Sequence, residues 1–136
     1  MQALIDNIDV HYRWALMSRP PMERWSAGRV VLIGDACHPM LPFMAHGAVM
    51  AIEDAVTLAR CLATNRTDHV AAFKAYEAER VTRANRCVVA ADRNRDIFHN
   101  ECLLDADDAS RYVATQWSEA KVRERYNWLF EFDAVG

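Results

Sequence analysis

The run Val30-Val31-Leu32-Ile33, halted by Gly34 and followed at once by Asp35, constrains this chain more than any other stretch. A continuous apolar, mostly β-branched run predicts a strand buried on both faces, the habit of α/β sheets. Asp35 falls where that strand ends, and ligands of open α/β sheets bind beyond the carboxyl ends of the strands. An ionised carboxylate only accepts hydrogen bonds, which suits sugar or polyol hydroxyls. Pro39 and Pro42 then stiffen the loop, and Gly47 permits close backbone approach before a helix begins. From Ala48 onward, Ile52, Ala55, Val56, Ala59 and Leu62 recur at helical spacing, predicting a helix over about 47–62 with an apolar stripe. Its first turn has free N–H groups and no acidic side chain to use them, so an external electron-rich group is the natural partner. The competing reading makes Asp35 no more than a turn- or helix-capping acid.

The remainder reads as helical scaffold. Residues 1–9 resemble the tail of a helix. His11 to Arg19, with Tyr12, Trp14 and Leu16 alternating against Arg13 and Ala15, predict a strand ending at Pro20-Pro21. Asp68 is an N-cap candidate for a long helix over about 69–99, in which Val81, Ala84, Val88, Ala91 and Phe98 mark one apolar stripe. A last helix is expected over about 108–130, after the acidic cluster Asp105, Asp107 and Asp108. Gly and Pro are scarce beyond residue 47, so neither a linker nor a second domain is visible.

Composition narrows the function classes. With 136 residues, 52% of them hydrophobic, the chain can bury one core. A net charge of −3 and a pI of about 5.9 oppose nucleic-acid binding. Arg80, Arg83, Arg86, Arg93 and Arg95 are interspersed with Glu77, Glu79, Asp92 and Asp96, which predicts a solvated, ion-paired face with Glu79 set to pair with Arg83. No run reaches the length of a membrane span and no charged leader precedes an apolar segment, so a cytoplasmic location without membrane contact is expected. Cys37, Cys61, Cys87 and Cys102 are irregularly spaced, without a Cys-x-x-Cys, and read as reduced and structural. No metal site is expected; His38 reads as a loop-orienting hydrogen bonder and His46 as a solvent or pocket residue. Cys37 beside His38 does not make a cysteine hydrolase, because neighbours in an extended segment point apart. Trp14, Trp25, Trp117 and Trp128 read as packing residues.

Gly34-Asp35-Ala36-Cys37-His38-Pro39-Met40-Leu41-Pro42, with Gly47-Ala48 and Ile52-Glu53-Asp54-Ala55, resembles the second FAD fingerprint of the flavin-dependent aromatic hydroxylases, the class of 4-hydroxybenzoate, salicylate and 6-hydroxynicotinate monooxygenases. Tyr12-Arg13-Trp14-Ala15-Leu16 and Trp128-Leu129-Phe130-Glu131-Phe132-Asp133-Ala134 are similar to the salicylate-hydroxylase branch. The resemblance implies cofactor-binding roles for Gly34, Asp35, Pro42, Gly47, Ala48 and Val49. Asp35 would accept from the ribityl chain, Pro42 would lie beside the isoalloxazine and substrate, and the Ala48 and Val49 amides would face the flavin N1 and C2 carbonyl. Catalytic side chains are not assigned. His46 departs from the pattern, where many relatives show glycine or glutamine.

The same resemblance implies a mostly α fold with a few short β-strands, the C-terminal third of an α/β FAD-dependent monooxygenase. Within one segment, 1–27 would be a remnant of the substrate-domain sheet, 28–62 the FAD-binding strand, loop and helix, and 63–136 a helical region. The glycines, at 28, 34, 47 and 136, leave no room for a Gly-x-Gly-x-x-Gly turn. FAD binding by the chain alone is therefore expected to be weak or absent, and hydroxylation of a small aromatic acid with NAD(P)H is expected only of the intact enzyme. The alternative is a non-catalytic helical oligomerisation or interaction module derived from a truncated monooxygenase. Unpaired strand edges invite association, so a homo-oligomer is expected.

Overall fold

The computed structural model describes residues 5–134. Two short strands, β1 (Ser26–Ala27) and β2 (Val30–Val31), form an antiparallel hairpin with Ala27 opposite Val30. The two-residue loop opens on Gly28 at φ +57, a conformation that tight hairpin loops demand and that glycine reaches without strain. Four helices follow: α1 (Gly47–Thr64), α2 (His69–Phe98), α3 (Ala106–Gln116) and α4 (Glu119–Phe130). Single 3₁₀ turns at Gly34–Ala36, Pro42–Met44 and Glu101–Leu104 join them. The described chain is thus mostly helical.

α1 and α2 form a helical hairpin around which everything else is arranged. Asp68 caps α2 by accepting from the Ala71 amide at 2.9 Å, as expected of an N-cap aspartate. One apolar cluster, built on Trp25, Cys37, Cys61, Ala72, Tyr76 and Ala84, fastens the β-hairpin to the helices. The Glu77 carboxylate accepts from the Trp25 and Ser26 amides, and Asn85 donates to the Met22 carbonyl. A second cluster of Leu41, Met44, Met50, Cys87, Ala91 and Leu129 packs the Pro42 loop and α4 onto α2. There Asn94 donates to the Phe43 carbonyl and accepts from the Tyr126 hydroxyl.

Four expectations require correction. The strand is only two residues long; among the described residues β1 alone pairs with it and the helical cluster covers one side only, so Val31 and Leu32 are partly buried while Val30 and Ile33 are 62% and 38% exposed. Residues 11–19 form no strand; Tyr12, Trp14, Leu16 and Met17 are exposed, since an alternating pattern makes a strand only when a partner supplies hydrogen bonds. The expected last helix is two, broken at Trp117-Ser118, where Ser118 is extended at ψ 148 and Trp117 stacks on Phe98. Asp105 does start the first of them, accepting from the Asp107 and Asp108 amides.

The fourth correction concerns α1, which reaches Thr64 and has most of its apolar stripe turned outward, while Leu62 packs against the Trp25 cluster. Ile52, Ala55, Val56 and Ala59 are exposed, while Met50, Glu53, Asp54, Thr57 and Cys61 face α2. Buried carboxylates on the inner face are stable only because α2 answers them with arginines. The α2 stripe is better met: Ala84, Val88 and Ala91 are buried, Val81 is partly covered, and Phe98 is 43% exposed.

Candidate flavin-facing site

Gly34 starts the site. It turns the chain at φ +61, and an added Cβ would come 3.3 Å from the Ala51 Cβ. Both observations favour glycine where the strand end meets α1. Its amide donates to Asp54 at 3.0 Å, so the turn is anchored from below and the next residue, Asp35, is directed outward. Asp35 caps no described amide. It lines a cavity of about 520 Å³ together with Met40, Leu41, Pro42, Ala45, His46, Gly47, Ala48 and Ala51.

Across that cavity lies the start of α1. No side chain caps it and no acid occupies its first turn. The N-terminal amides and the helix dipole therefore face the same space as the Asp35 carboxylate. His46 stands at the N-cap position with Nδ1 2.6 Å from the Met44 carbonyl and its ring edge-on to Phe130. Ala45 adopts φ 53, a left-handed conformation that costs a residue with a Cβ about 1–2 kcal/mol.

The structure thus gathers Asp35, Pro42, Gly47 and Ala48 around one opening. Gly34 lies behind it as a buried support, and Val49 lies one residue along α1 with its side chain outside the lining. The donor set, one acceptor-only carboxylate facing uncapped amides across an apolar-walled space, fits a ligand with hydroxyls at one end and an electron-rich ring edge at the other.

Beneath the loop runs a buried ion network that sequence reasoning missed. Asp54 accepts from His38 Nε2 at 2.6 Å and from Arg80 Nε at 2.8 Å, besides the Gly34 amide. Arg80 also donates to Glu53 at 2.6 Å, and Arg83 grips both oxygens of Glu53 at 2.8 Å. Arg83 continues to the carbonyls of Trp128 and Leu129 and lies 3.8 Å from the centre of the Phe132 ring, binding the chain end to α1. Burial pushes the Asp54 and Glu53 carboxyls up, but the hydrogen bonds from His38, Arg80, Gly34 and Arg83 outweigh it and hold both below the ordinary range.

The solvated-face reading holds for Arg95, which pairs with Asp92 and Asp96 at the surface, and fails for the buried Arg80 and the largely covered Arg83; Glu79 pairs with Arg60 instead of Arg83. The available signal was Glu53-Asp54 inside a largely apolar helix, two acids that need cations wherever they are buried. His38 does orient the loop, as expected.

Cys37, His38 and Asp54 lie close enough together to suggest a cation site. The chemistry opposes it. Burial, with Asp54 beside it, pushes the Cys37 thiol up to about 12, and both Asp54 oxygens already serve His38, Gly34 and the Arg80 cation. A protonated thiol is equally unsuited to nucleophilic chemistry. Trp25 packs in the core and Trp128 lies under Arg86, whereas Trp14 is 82% exposed. No helix among the described residues is long and apolar enough to cross a membrane.

The sequence is similar to that of known proteins. The FAD binding domain family matches residues 5–91. The chain is 48% identical over 102 residues to 6-hydroxynicotinate 3-monooxygenase of Bordetella bronchiseptica, covering 74% of this chain and 27% of that protein. The corresponding protein of Pseudomonas fluorescens is 53% identical over 102 residues, covering 74% and 26%. The 3-hydroxybenzoate 6-hydroxylase of Polaromonas naphthalenivorans is 38% identical over 131 residues, covering 93% and 31%. The chain therefore spans roughly a quarter to a third of the length of these curated relatives. The family match over more than half of the chain, together with these relatives, assigns the chain to the FAD-dependent aromatic hydroxylases.

Proposed function

We propose that this chain supplies the flavin-facing wall of an aromatic-ring monooxygenase, holding the ribityl and isoalloxazine portion of FAD. The observation that carries the reading is the meeting of the Asp35 carboxylate and the uncapped start of α1 in one cavity. Asp35 accepts hydrogen bonds from ribityl hydroxyls. The Ala48 and Val49 amides favour negative charge at the pyrimidine edge of the ring, and Pro42 and His46 wall the ring side. When bound, FAD reduced by a nicotinamide supplies the oxygen chemistry; the residues here bind, orient and exclude water. The substrate class is a small aromatic acid, as in the names of the relatives. Residues 28–62 act as the flavin-binding unit, 1–27 belong with a substrate-covering layer, and 63–136 brace both.

Alone, the chain does not hydroxylate, because it contains no Gly-x-Gly-x-x-Gly turn to hold the pyrophosphate. Titration with riboflavin, FMN and FAD, followed by flavin fluorescence, tests this. Weak binding is expected, nearly equal for the three ligands, and Asp35→Ala weakens it by about tenfold or more through loss of a charged acceptor. Affinity unchanged by Asp35→Ala overturns the assignment of that acid. Folded protein that binds none of the three favours the second reading, a non-catalytic interaction module, which the outward apolar face of α1 supports.

A further inference from the structure

We infer that His46 is a specificity-determining residue of the flavin site, its Nε2 accepting a hydrogen bond from the N3–H on the imide edge of the isoalloxazine; the inference rests on the flavin reading above. Of the nine residues that line the cavity, Asp35 and His46 alone bring polar side chains. Asp35 is assigned to the ribityl hydroxyls, so His46 is the side chain left to read the ring. Its imidazole is restrained from two sides. Nδ1 lies 2.6 Å from the Met44 carbonyl oxygen, which can only accept, so Nδ1 carries the proton. In the neutral ring that leaves the Nε2 lone pair as an acceptor, and the described residues give it no donor. The Phe130 ring meets it edge-on at 5.6 Å and is itself fixed through α4, whose Trp128 and Leu129 carbonyls accept from Arg83.

The backbone around this residue agrees with such a role. His46 stands at the N-cap position yet caps no amide, and Ala45 before it is held left-handed at φ 53. Strain of that kind persists where the surroundings over-determine it, and it gathers at ligand clamps. The outcome is an acceptor nitrogen beside helix-start amides that only donate. The imide edge of a flavin is the complement of this pair, since its C2 carbonyl accepts and the neighbouring N3–H donates. A phosphate or carboxylate brings acceptors alone and leaves Nε2 unanswered. His46 therefore distinguishes a flavin from a simple anion at the same opening, and a side chain without an acceptor at this position loses the distinction.

The test compares FMN with 3-methyl-FMN, in which a methyl group replaces the N3 proton, each titrated with the chain and followed by flavin fluorescence at pH 8 so that imidazole is neutral. The wild-type chain is expected to prefer FMN by about fivefold or more. His46→Leu, similar in size and without an acceptor, is expected to bind the two alike, with its helical circular dichroism retained. Asp35→Ala is expected to weaken both and keep the preference. Should His46→Leu unfold, His46→Phe takes its place. Equal wild-type affinities for the two ligands overturn the inference whatever the variants do, and so does a preference that persists without His46, which would be steric, or one that vanishes with Asp35. FMN binding that Asp35→Ala weakens and N3-methylation leaves unchanged overturns this inference alone, whereas a folded chain that binds no FMN overturns the flavin reading and this inference with it.

Discussion

Arg80 joins α1 to α2 through buried charge. Its guanidinium reaches Asp54, Glu53 and the Met50 carbonyl from a position 1% exposed, so it neutralises two acids that α1 turns inward. Removing one member of such a network leaves an unpaired buried charge, and Arg80→Ala is expected to cost about 3–5 kcal/mol in urea unfolding. Arg111, paired with Asp108 in solvent, is the contrast: Arg111→Ala is expected to change stability by about 0.5 kcal/mol or less. Equal effects would show that the inner network is not what holds α1 to α2.

At the level of elements, α2 is the spine, 30 residues long and in contact with the hairpin, the Pro42 loop, α1 and α4. Because partners surround it on several sides, its buried positions include Tyr76, Arg80 and Asn94 as well as the alanines of a simple stripe. Its start depends on Asp68, whose side chain satisfies one of the orphan amides of the first turn. Asp68→Ala is expected to lower stability by about 1 kcal/mol, read as a shift of the urea midpoint at unchanged slope. A changed slope would mean that the end of α1 and the turn at residues 65–68 had come apart as well.

For the molecule as a whole, acidity is the sensitive variable. Glu53 and Asp54, with ordinary values of 4.5 and 3.8, are both held lower in the folded chain despite burial. Glu77, whose burial is outweighed by the Trp25 and Ser26 amides, is lowered too. As pH falls, the unfolded chain takes up protons at the ordinary values before the folded chain does. The stability these groups contribute is complete above those values and is lost as pH falls through the lower folded ones. The unfolding midpoint is expected to be level from neutral pH to about 5 and to fall steeply toward about 3. A midpoint that holds or rises on acidification would contradict the ion network.

What the linear sequence determined by itself is local. The turn at Gly34, the acid after it, the bare start of α1 and the Asp68 cap are all encoded within a few residues, so their chemistry could be read without knowing what lies nearby. The tertiary structure decided which side of each helix is inside. The apolar stripe of α1 pointed to the wrong face, because two arginines some 30 positions away make burial of Glu53 and Asp54 cheaper than their spacing on one helix can reveal. The alternating residues 11–19 likewise spelled a strand that, among the described residues, has no neighbour to bond. Periodicity records which residues could share a surface; only the assembled chain settles what that surface meets.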